Sequence, residues 1–362
     1  MKVIFTGPDP RSANRAHAGG QLTATTGFAR FAEERGIEIE WVDTLQSNFP
    51  VPSLSSRILR AAGRLVRFTG LALRSEADGA ILFAGAGMSF VERSLMALVA
   101  RIAGVPVLLM IRDGNFRLAY DRSVAFRRFV RLMLSVPDRV GVQGDSWRPL
   151  LRDAGVPSER VVVVPNWLDR PPLSPARPPS SGDLRLVFVG WLTAGKGVPE
   201  LLGAMRILGE RNVTAKLTIV GGGDLLEECR AQADAPEARG SIEVTGWLSA
   251  DEVGAVLARS DVLVLPSHAE GFPNVVMEAL SYGLPVIATP VGAVPDSVID
   301  GRNGAIITVG DAQAIAAAVE RYVADRSMVQ VQSKHALEAA RSLHDLSVNC
   351  GKLIAALGLE AD

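Results

Sequence analysis

Residues 262–288 read VLVLPSHAEGFPNVVMEALSYGLPVIA. The first five and the last three residues of this stretch are apolar runs, as expected of strands that are buried on both faces of a sheet. Between them, residues 275–282 are predicted to form a helix, because Pro273 suits a helix start, Asn274 can cap a helix and a Gly-Leu-Pro triplet follows. A strand, a helix and a second strand in this order predict a parallel α/β sheet.

The same alternation runs through the rest of the chain. A segment rich in proline and serine at 170–182 interrupts it and is predicted to be a linker. We therefore expect an N-terminal domain at 1–169 and a second domain at 183–345, each a doubly wound parallel sheet, followed by a C-terminal helix at 346–362. The predicted strands are at 3–6, 37–42, 80–83, 105–111, 139–142, 161–164, 184–189, 216–220, 242–245, 262–266 and 286–288. The main predicted helices before residue 275 are at 21–34, 57–74, 88–102, 123–134, 146–154, 199–208, 225–233 and 250–258.

Length and composition agree with two globular domains. The chain has 362 residues, of which 48% are hydrophobic and 21% charged. The net charge of −1 hides an asymmetry, because residues 1–180 carry 24 Lys and Arg against 16 Asp and Glu, which leaves 14 against 23 for the remainder. A basic half suits an anionic partner, although genomic composition explains the arginine content equally well.

The sequence predicts a cytoplasmic protein. Cys229 and Cys350 have neither metal-ligand nor redox spacing, which indicates a reducing compartment. The first seven residues are typical of a strand and a glycine turn, not of a signal peptide, and no apolar run reaches the ~18–20 residues of a membrane span. The basic amphipathic helix predicted at Arg57–Arg74 either binds an anionic membrane surface at the inner face of the membrane or is an ordinary surface helix.

Two carboxylates flank the start of the helix at 275–282. Backbone N–H groups at Asn274 and Val275 lack helical partners and lie at the positive end of the helix dipole, which suits a phosphate. Glu278, about one turn in, can accept hydrogen bonds from two ribose hydroxyls, and Glu270 faces the far end of a diphosphate. The pattern predicts a nucleotide-sugar site; the alternative is that Glu278 only complements the dipole and Glu270 is solvated.

A second candidate follows the strand at 184–189. Gly190 to Gly197 have the G-x4-G-K spacing of a phosphate-binding loop, but Gly197 stands where the magnesium-binding Ser or Thr belongs. Lys196 is still well placed to neutralise a diphosphate, or it is a solvated lysine at a helix start. The three glycines at 221–223 lack the last glycine of a dinucleotide fingerprint and predict a tight turn.

Three weaker candidates also follow strands. Gly19 and Gly20 either approach an anion or make a turn. The backbone around Trp247 and Leu248 reads the edge of a base, or Trp247 simply packs. Arg112 emerges at the carboxyl edge of its sheet, where it either binds phosphate or pairs with the neighbouring aspartate.

In this order, the motifs resemble those of the family-four retaining glycosyltransferases of GT-B fold, over nearly the whole chain. The spacing of Glu270 and Glu278 around Gly-Phe-Pro-Asn is the specific part. The resemblance implies two Rossmann-like domains facing a cleft, with the 346–362 helix returning to the first. It also implies an enzyme that moves a sugar from a nucleotide diphosphate sugar, UDP- or GDP-linked, with retained configuration and commonly without a metal. Further matches are Gly19-Gly20, Val164-Pro165-Asn166, Gly195-Lys196-Gly197, Gly221-Gly222-Gly223, residues 283–289 and residues 300–304.

The resemblance also implies roles for individual residues. Gly19 and Gly20 approach the diphosphate or the sugar, Lys196 neutralises the diphosphate and Glu278 holds the ribose. Glu270 and the backbone that follows it orient the donor sugar. Lys196 and Glu270 are therefore candidate catalytic residues, and Arg112 is a third on the separate hypothesis that its charge acts on the diphosphate. The candidate donor-binding residues are Gly19, Gly20, Gly190, Trp247, Leu248, Gly271, Phe272, Asn274, Val275 and Glu278.

Two departures from the family pattern distinguish this chain. Trp191 stands where members often carry an arginine, and Arg112 where many carry a histidine. The resulting hypothesis is that Arg112 supplies the missing positive charge. A nucleotide-sugar epimerase on the same scaffold and a non-catalytic nucleotide- or carbohydrate-binding protein are the alternatives. The acceptor is left open between a glycan, a lipid-linked and a small-molecule acceptor.

Overall fold

The computed structural model describes residues 1–12, 20–45, 53–74, 77–169, 182–238 and 240–360. The chain divides into two compact units. The first unit is Met1–Asp169 with His344–Asp362, and the second is Arg170–Leu343. Gly19 and residues 170–181 of the predicted linker lie outside the described residues.

The first unit contains a six-stranded parallel sheet. Its strands are β1 (Lys2–Gly7), β2 (Glu38–Asp43), β3 (Gly79–Ala84), β4 (Val107–Ile111), β5 (Arg139–Val142) and β6 (Val161–Val163), in the order β2-β1-β3-β4-β5-β6. Its helices up to residue 169 are α1 (Gly20–Glu34), α2 (Leu54–Leu73), α3 (Met88–Ile102), α4 (Asn115–Arg122), α5 (Val124–Met133) and α6 (Arg148–Asp153), with 3₁₀ turns at Pro10–Ser12, Asp145–Trp147 and Ser158–Arg160.

Aromatic side chains form the core next to β1. The Phe5 ring lies 4.9 Å from that of Phe28 on α1, 5.0 Å from that of Trp41 on β2 and 4.7 Å from that of Phe83 on β3. All four are buried. Tilted and edge-to-face aromatic contacts of this kind add to the stabilisation from buried area, so this cluster holds α1 on the sheet.

The second unit contains another six-stranded parallel sheet. Its strands are β7 (Leu184–Val189), β8 (Ala215–Val220), β9 (Ile242–Gly246), β10 (Val262–Leu265), β11 (Val286–Ala288) and β12 (Gly304–Ile306), in the order β12-β11-β10-β7-β8-β9. Its helices are α7 (Val198–Glu210), α8 (Leu226–Ala233), α9 (Ala250–Arg259), α10 (Asn274–Ser281), α11 (Val294–Ser297), α12 (Ala312–Ala324) and α13 (Ser327–Leu343), with 3₁₀ turns at Ala194–Lys196 and Pro236–Ala238.

After α13 the chain rejoins the first unit at His344. The last helix, α14 (Leu346–Ala355), contributes Leu353 and Ile354 to the buried cluster that contains Phe5. A backbone hydrogen bond of 2.9 Å from Leu168 N to His344 O ties this return to the segment after β6. The first unit is therefore made of both ends of the described chain.

The prediction of two Rossmann-like α/β units is confirmed by the two parallel sheets with helices between successive strands. Three elements, namely α4, β12 and the four-residue helix α11, were not predicted. Only two side chains of α4, Phe116 and Tyr120, are buried, so its sequence lacks an apolar stripe, and β12 is only three residues long and begins with a glycine. No helix in the described part of the chain is both long and apolar enough to cross a membrane.

Candidate active site

The candidate site lies where the strand order of the second unit reverses. From β7 the chain proceeds through β8 and β9 on one side, and β10, β11 and β12 lie on the other side of β7. The loops after β7 and β10 therefore leave the carboxyl edge of the sheet on either side of this switch point. Doubly wound sheets bind their ligands at such a point.

One side chain from each of these loops meets in an ion pair. Lys196 Nζ donates to Glu270 Oε1 over 2.6 Å, and Ser267 Oγ donates to the same oxygen over 2.8 Å. Glu270 is buried at 9% exposure, whereas the Lys196 side chain is 28% exposed. Sequence reasoning missed Ser267; its position three residues before Glu270, directly after a strand and a proline, was the available signal.

Backbone contacts hold the two loops together. His268 N donates to Gly195 O over 2.9 Å. Gly197 has a φ of +73°, and a Cβ at this residue would lie 2.1 Å from Pro266 O. Any side chain here would collide with the β10 loop, so the structure gives Gly197 a packing reason for replacing the Ser or Thr of a phosphate-binding loop.

Glu278 lies on α10 and is half-buried. No described residue makes a hydrogen bond or an ion pair with its carboxylate, and burial raises its pKa above the ordinary value. An unpaired carboxylate in this setting retains its full capacity to accept hydrogen bonds from a ligand.

The start of α10 differs from the prediction in one respect. Pro273 occupies the N-cap position and Asn274 is the first helical residue, so Asn274 does not cap the helix. Val276 N donates to Pro273 O over 3.1 Å, and Ala293 N donates to Gly271 O over 2.8 Å. The helix start is therefore anchored by backbone, with Phe272 buried and Val275 half-buried beside it.

The loops after β7, β8 and β9 lie side by side. Gly190 N donates to Val220 O, and Gly221 N donates to Gly246 O, each over 2.9 Å. A Cβ on Gly221 would lie 1.8 Å from Gly190 O, which explains the need for glycine at this turn.

Two tryptophans stand on these loops. The rings of Trp191 and Trp247 pack edge to face with centroids 4.8 Å apart, and Trp247 is 52% exposed. Leu248 is half-buried. Trp191 thus packs against an aromatic neighbour.

Two sequence-predicted residues of the first unit are described. Gly20 is exposed and begins α1. Arg112 directly follows β4 and so lies at the carboxyl edge of its sheet, as predicted. Its side chain is nevertheless buried, at 7% exposure, and its guanidinium lies over the rings of Phe83 and Trp167 at 4.5 and 5.4 Å. Its Nη2 donates to Asn166 Oδ1 over 2.7 Å, whereas its Nε and Nη1 are buried with no described acceptor. Burial lowers the pKa of Arg112, although a guanidinium keeps its charge at neutral pH.

Two further findings bear on the chemistry. His268 Nε2 lies 2.9 Å from Glu200 Oε1, and these residues are two and four positions from Glu270 and Lys196 in sequence. The sequence did not predict this contact. In the ranges listed above, no group of three or more His, Cys, Asp or Glu side chains is placed to hold a metal ion.

The second unit matches a known protein family. Residues 169–339 match the family model described as Glycosyl transferases group 1. The glycogen synthase of Mycobacterium tuberculosis is 32% identical over 187 residues, which are 51% of this chain and 45% of that protein. This chain thus matches less than half of that relative's length.

Solved structures extend the likeness to the whole fold. A sucrose-phosphate synthase from Thermosynechococcus elongatus superposes with a TM-score of 0.76 at 18% identity, over 98% of this chain and 97% of that one. Anabaena HepE, solved in complex with UDP-glucose, superposes with a TM-score of 0.72 at 18% identity, over 99% of each chain. The chain therefore has the two-unit Rossmann-like fold of these proteins, and its second unit carries the sequence pattern of group 1 glycosyl transferases.

Proposed function

We propose that this protein is a retaining glycosyltransferase that moves a sugar from a nucleotide diphosphate sugar to an acceptor hydroxyl. The observation that carries the proposal is the placement of Lys196 and Glu270 on the two loops of the switch point in the second unit. The match of residues 169–339 to group 1 glycosyl transferases supports the reaction class. The UDP-glucose bound to Anabaena HepE supports a nucleotide sugar as donor, with UDP- and GDP-sugars the first to test.

In the proposed reaction the acceptor oxygen forms a bond to the anomeric carbon of the donor sugar, and the bond from that carbon to the diphosphate oxygen breaks. The diphosphate leaves with the electron pair, and the acceptor proton passes to a phosphate oxygen or to solvent. Lys196 stabilises the developing charge. Glu270 holds that lysine and orients the donor sugar, and Glu278 accepts hydrogen bonds from the ribose hydroxyls.

The remaining predicted residues fill supporting roles in this proposal. The backbone from Gly271 to Val275 meets the phosphates, and the loops at Gly190, Trp247 and Leu248 meet the base. We also propose that Gly19 and Gly20 of the first unit take part in donor binding and that Arg112 takes part in catalysis. The proposed reaction needs no metal ion. The acceptor is a glycan, a lipid-linked glycan or a small molecule, and the site of action is the cytoplasm.

The test is to incubate the protein with a panel of nucleotide sugars, with and without acceptors, and to follow the anomeric proton of the product by NMR. We expect nucleoside diphosphate release that depends on acceptor, retained configuration and unchanged rates with EDTA. A sugar that changes without any acceptor would indicate an epimerase instead. Binding without any product from the whole acceptor panel would indicate a nucleotide-binding protein.

A further inference from the structure

The outer side of α2 presents a stripe of apolar residues to solvent. Leu59, Val66 and Leu73 recur every seven residues and are 75%, 72% and 62% exposed. Gly63 and Gly70 lie on the same side of the helix, and a Cβ added to either would meet open space. We call these five residues the α2 stripe; contiguous exposed apolar surface of this kind marks an interaction site.

Arginines flank the α2 stripe along one side. Arg60, Arg67 and Arg74 each directly follow a residue of the stripe, and all three are exposed. None of them forms an ion pair with a described carboxylate; Arg67 interacts electrostatically with Asp9, but that carboxylate is already bound by Arg11. The helix itself contains no acidic residue. The stripe therefore has an uncompensated positive edge.

Contacts on the inner side of α2 fix this orientation. Phe68 and Ala72 are fully buried. Arg64 Nε and Nη2 donate to the two carboxylate oxygens of Glu92 on α3 over 2.7 and 2.9 Å. Arg64 is thus engaged in packing two helices together, and rotation of the stripe toward the core would break a bidentate ion pair.

The neighbouring helix α3 also exposes apolar residues. On α3, Leu98 and Ile102 are 41% and 76% exposed, and Arg101 is exposed between them. Exposed leucine and isoleucine with interspersed arginine therefore extend over two adjacent helices of the first unit.

We propose that the α2 stripe and its three arginines dock this protein on an anionic lipid bilayer. Apolar side chains enter the boundary between headgroups and acyl chains while arginines bind lipid phosphates, the arrangement of interfacial amphipathic helices. A second copy of the chain fits this surface less well, because a two-fold pairing of α2 helices would bring their arginines together with no acidic residue on either helix. This proposal does not depend on glycosyl transfer.

The experiment is cosedimentation of the full chain with vesicles, either of phosphatidylcholine alone or mixed with phosphatidylglycerol. We expect binding only to the anionic vesicles and release at high salt. Replacing Arg60, Arg67 and Arg74 together by glutamine should weaken binding on the order of a hundredfold, since each basic residue near such a surface contributes about a factor of five. The matched control replaces the exposed arginines Arg206, Arg259 and Arg321 of the second unit by glutamine.

The apolar part is tested separately with Val66→Asp against Val331→Asp, an exposed valine on α13. We expect Val66→Asp alone to lose vesicle binding while its melting temperature stays that of the wild type. Failure of the wild-type protein to bind anionic vesicles would overturn the proposal. Equal vesicle binding by Val66→Asp and Val331→Asp would also overturn it. A concentration-dependent dimer that Val66→Asp abolishes, without vesicle binding, would assign the surface to a second copy.

Discussion

Lys196 and Glu270 are 74 residues apart in sequence, and their side chains meet over 2.6 Å where the strand order of the second sheet reverses. Lys196 lies on the loop after β7 and Glu270 on the loop after β10, and backbone contacts hold these two loops together. A cation is therefore positioned at the edge of the sheet by a buried carboxylate. This arrangement keeps Lys196 in place before any anionic ligand arrives.

Replacing Lys196 by Met should lower turnover by about 10²–10³-fold, because the leaving diphosphate loses its positive partner. It should also destabilise the fold, since Ser267 is then the one hydrogen-bond partner that buried Glu270 keeps among the described side chains. The double variant Lys196→Met/Glu270→Gln should lose less free energy of unfolding than the sum of the losses in the two single variants, as measured by urea unfolding. It should remain inactive. Lys334→Met is the control and should turn over normally. Strictly additive losses of stability in the double variant, or normal turnover in Lys196→Met, would contradict this role.

Replacing Glu278 by Gln should weaken donor binding by about 10–100-fold, because hydrogen bonds to a charged group contribute about 1.5–3 kcal/mol. The wild-type affinity should fall as the pH drops, since a protonated carboxyl accepts fewer hydrogen bonds. This fall should begin at a higher pH than for an ordinary glutamate, because burial raises the pKa of Glu278. Isothermal titration at several pH values checks both, with exposed Glu210→Gln as the control; a pH profile that Glu278→Gln leaves unchanged would refute it.

Two substitutions of Arg112 distinguish the effect of its packing from the effect of its charge. Arg112→Ala should lower the free energy of unfolding by about 2–4 kcal/mol, because it empties the space between Phe83 and Trp167. Arg112→Met keeps most of that volume and should cost less than about 1.5 kcal/mol. If a stable Arg112→Met protein turns over normally, the charge of Arg112 has no part in the reaction; loss of turnover in the stable variant supports the hypothesis that this charge is needed.

His344 should make the fold sensitive to acid. It is fully buried, its Nδ1 lies 2.7 Å from Asn166 O, and burial lowers its pKa to about 4. Between pH ~6.5 and ~4 the unfolded chain binds a proton that native His344 does not, so stability falls as the pH falls, by about 2.5 kcal/mol near pH ~4.5. His344→Gln should remove this part of the pH dependence in urea unfolding, whereas His335→Gln, on an exposed side chain, should retain it.

The sequence was sufficient to predict the strand–helix alternation, because strands that are buried on both faces are continuous apolar runs. The sequence also predicted Lys196, Glu270 and Glu278 as candidate site residues, since each stands at a strand end or near a helix start. It could not predict that Lys196 pairs with Glu270, because that contact depends on which two strands become neighbours. The sequence could not predict the burial of Arg112 either, because that burial depends on Trp167 and Asn166, which lie more than 50 residues further along the chain.

Isothermal titration of UDP- and GDP-sugars measures directly whether the second unit binds a nucleotide diphosphate sugar between Lys196 and Glu278. We predict saturable one-to-one binding of at least one donor, weakened about tenfold or more by Lys196→Met and by Glu278→Gln, and unaffected by Lys334→Met and Glu210→Gln. Absence of binding by every donor, or equal affinity in the site variants and their controls, would contradict it.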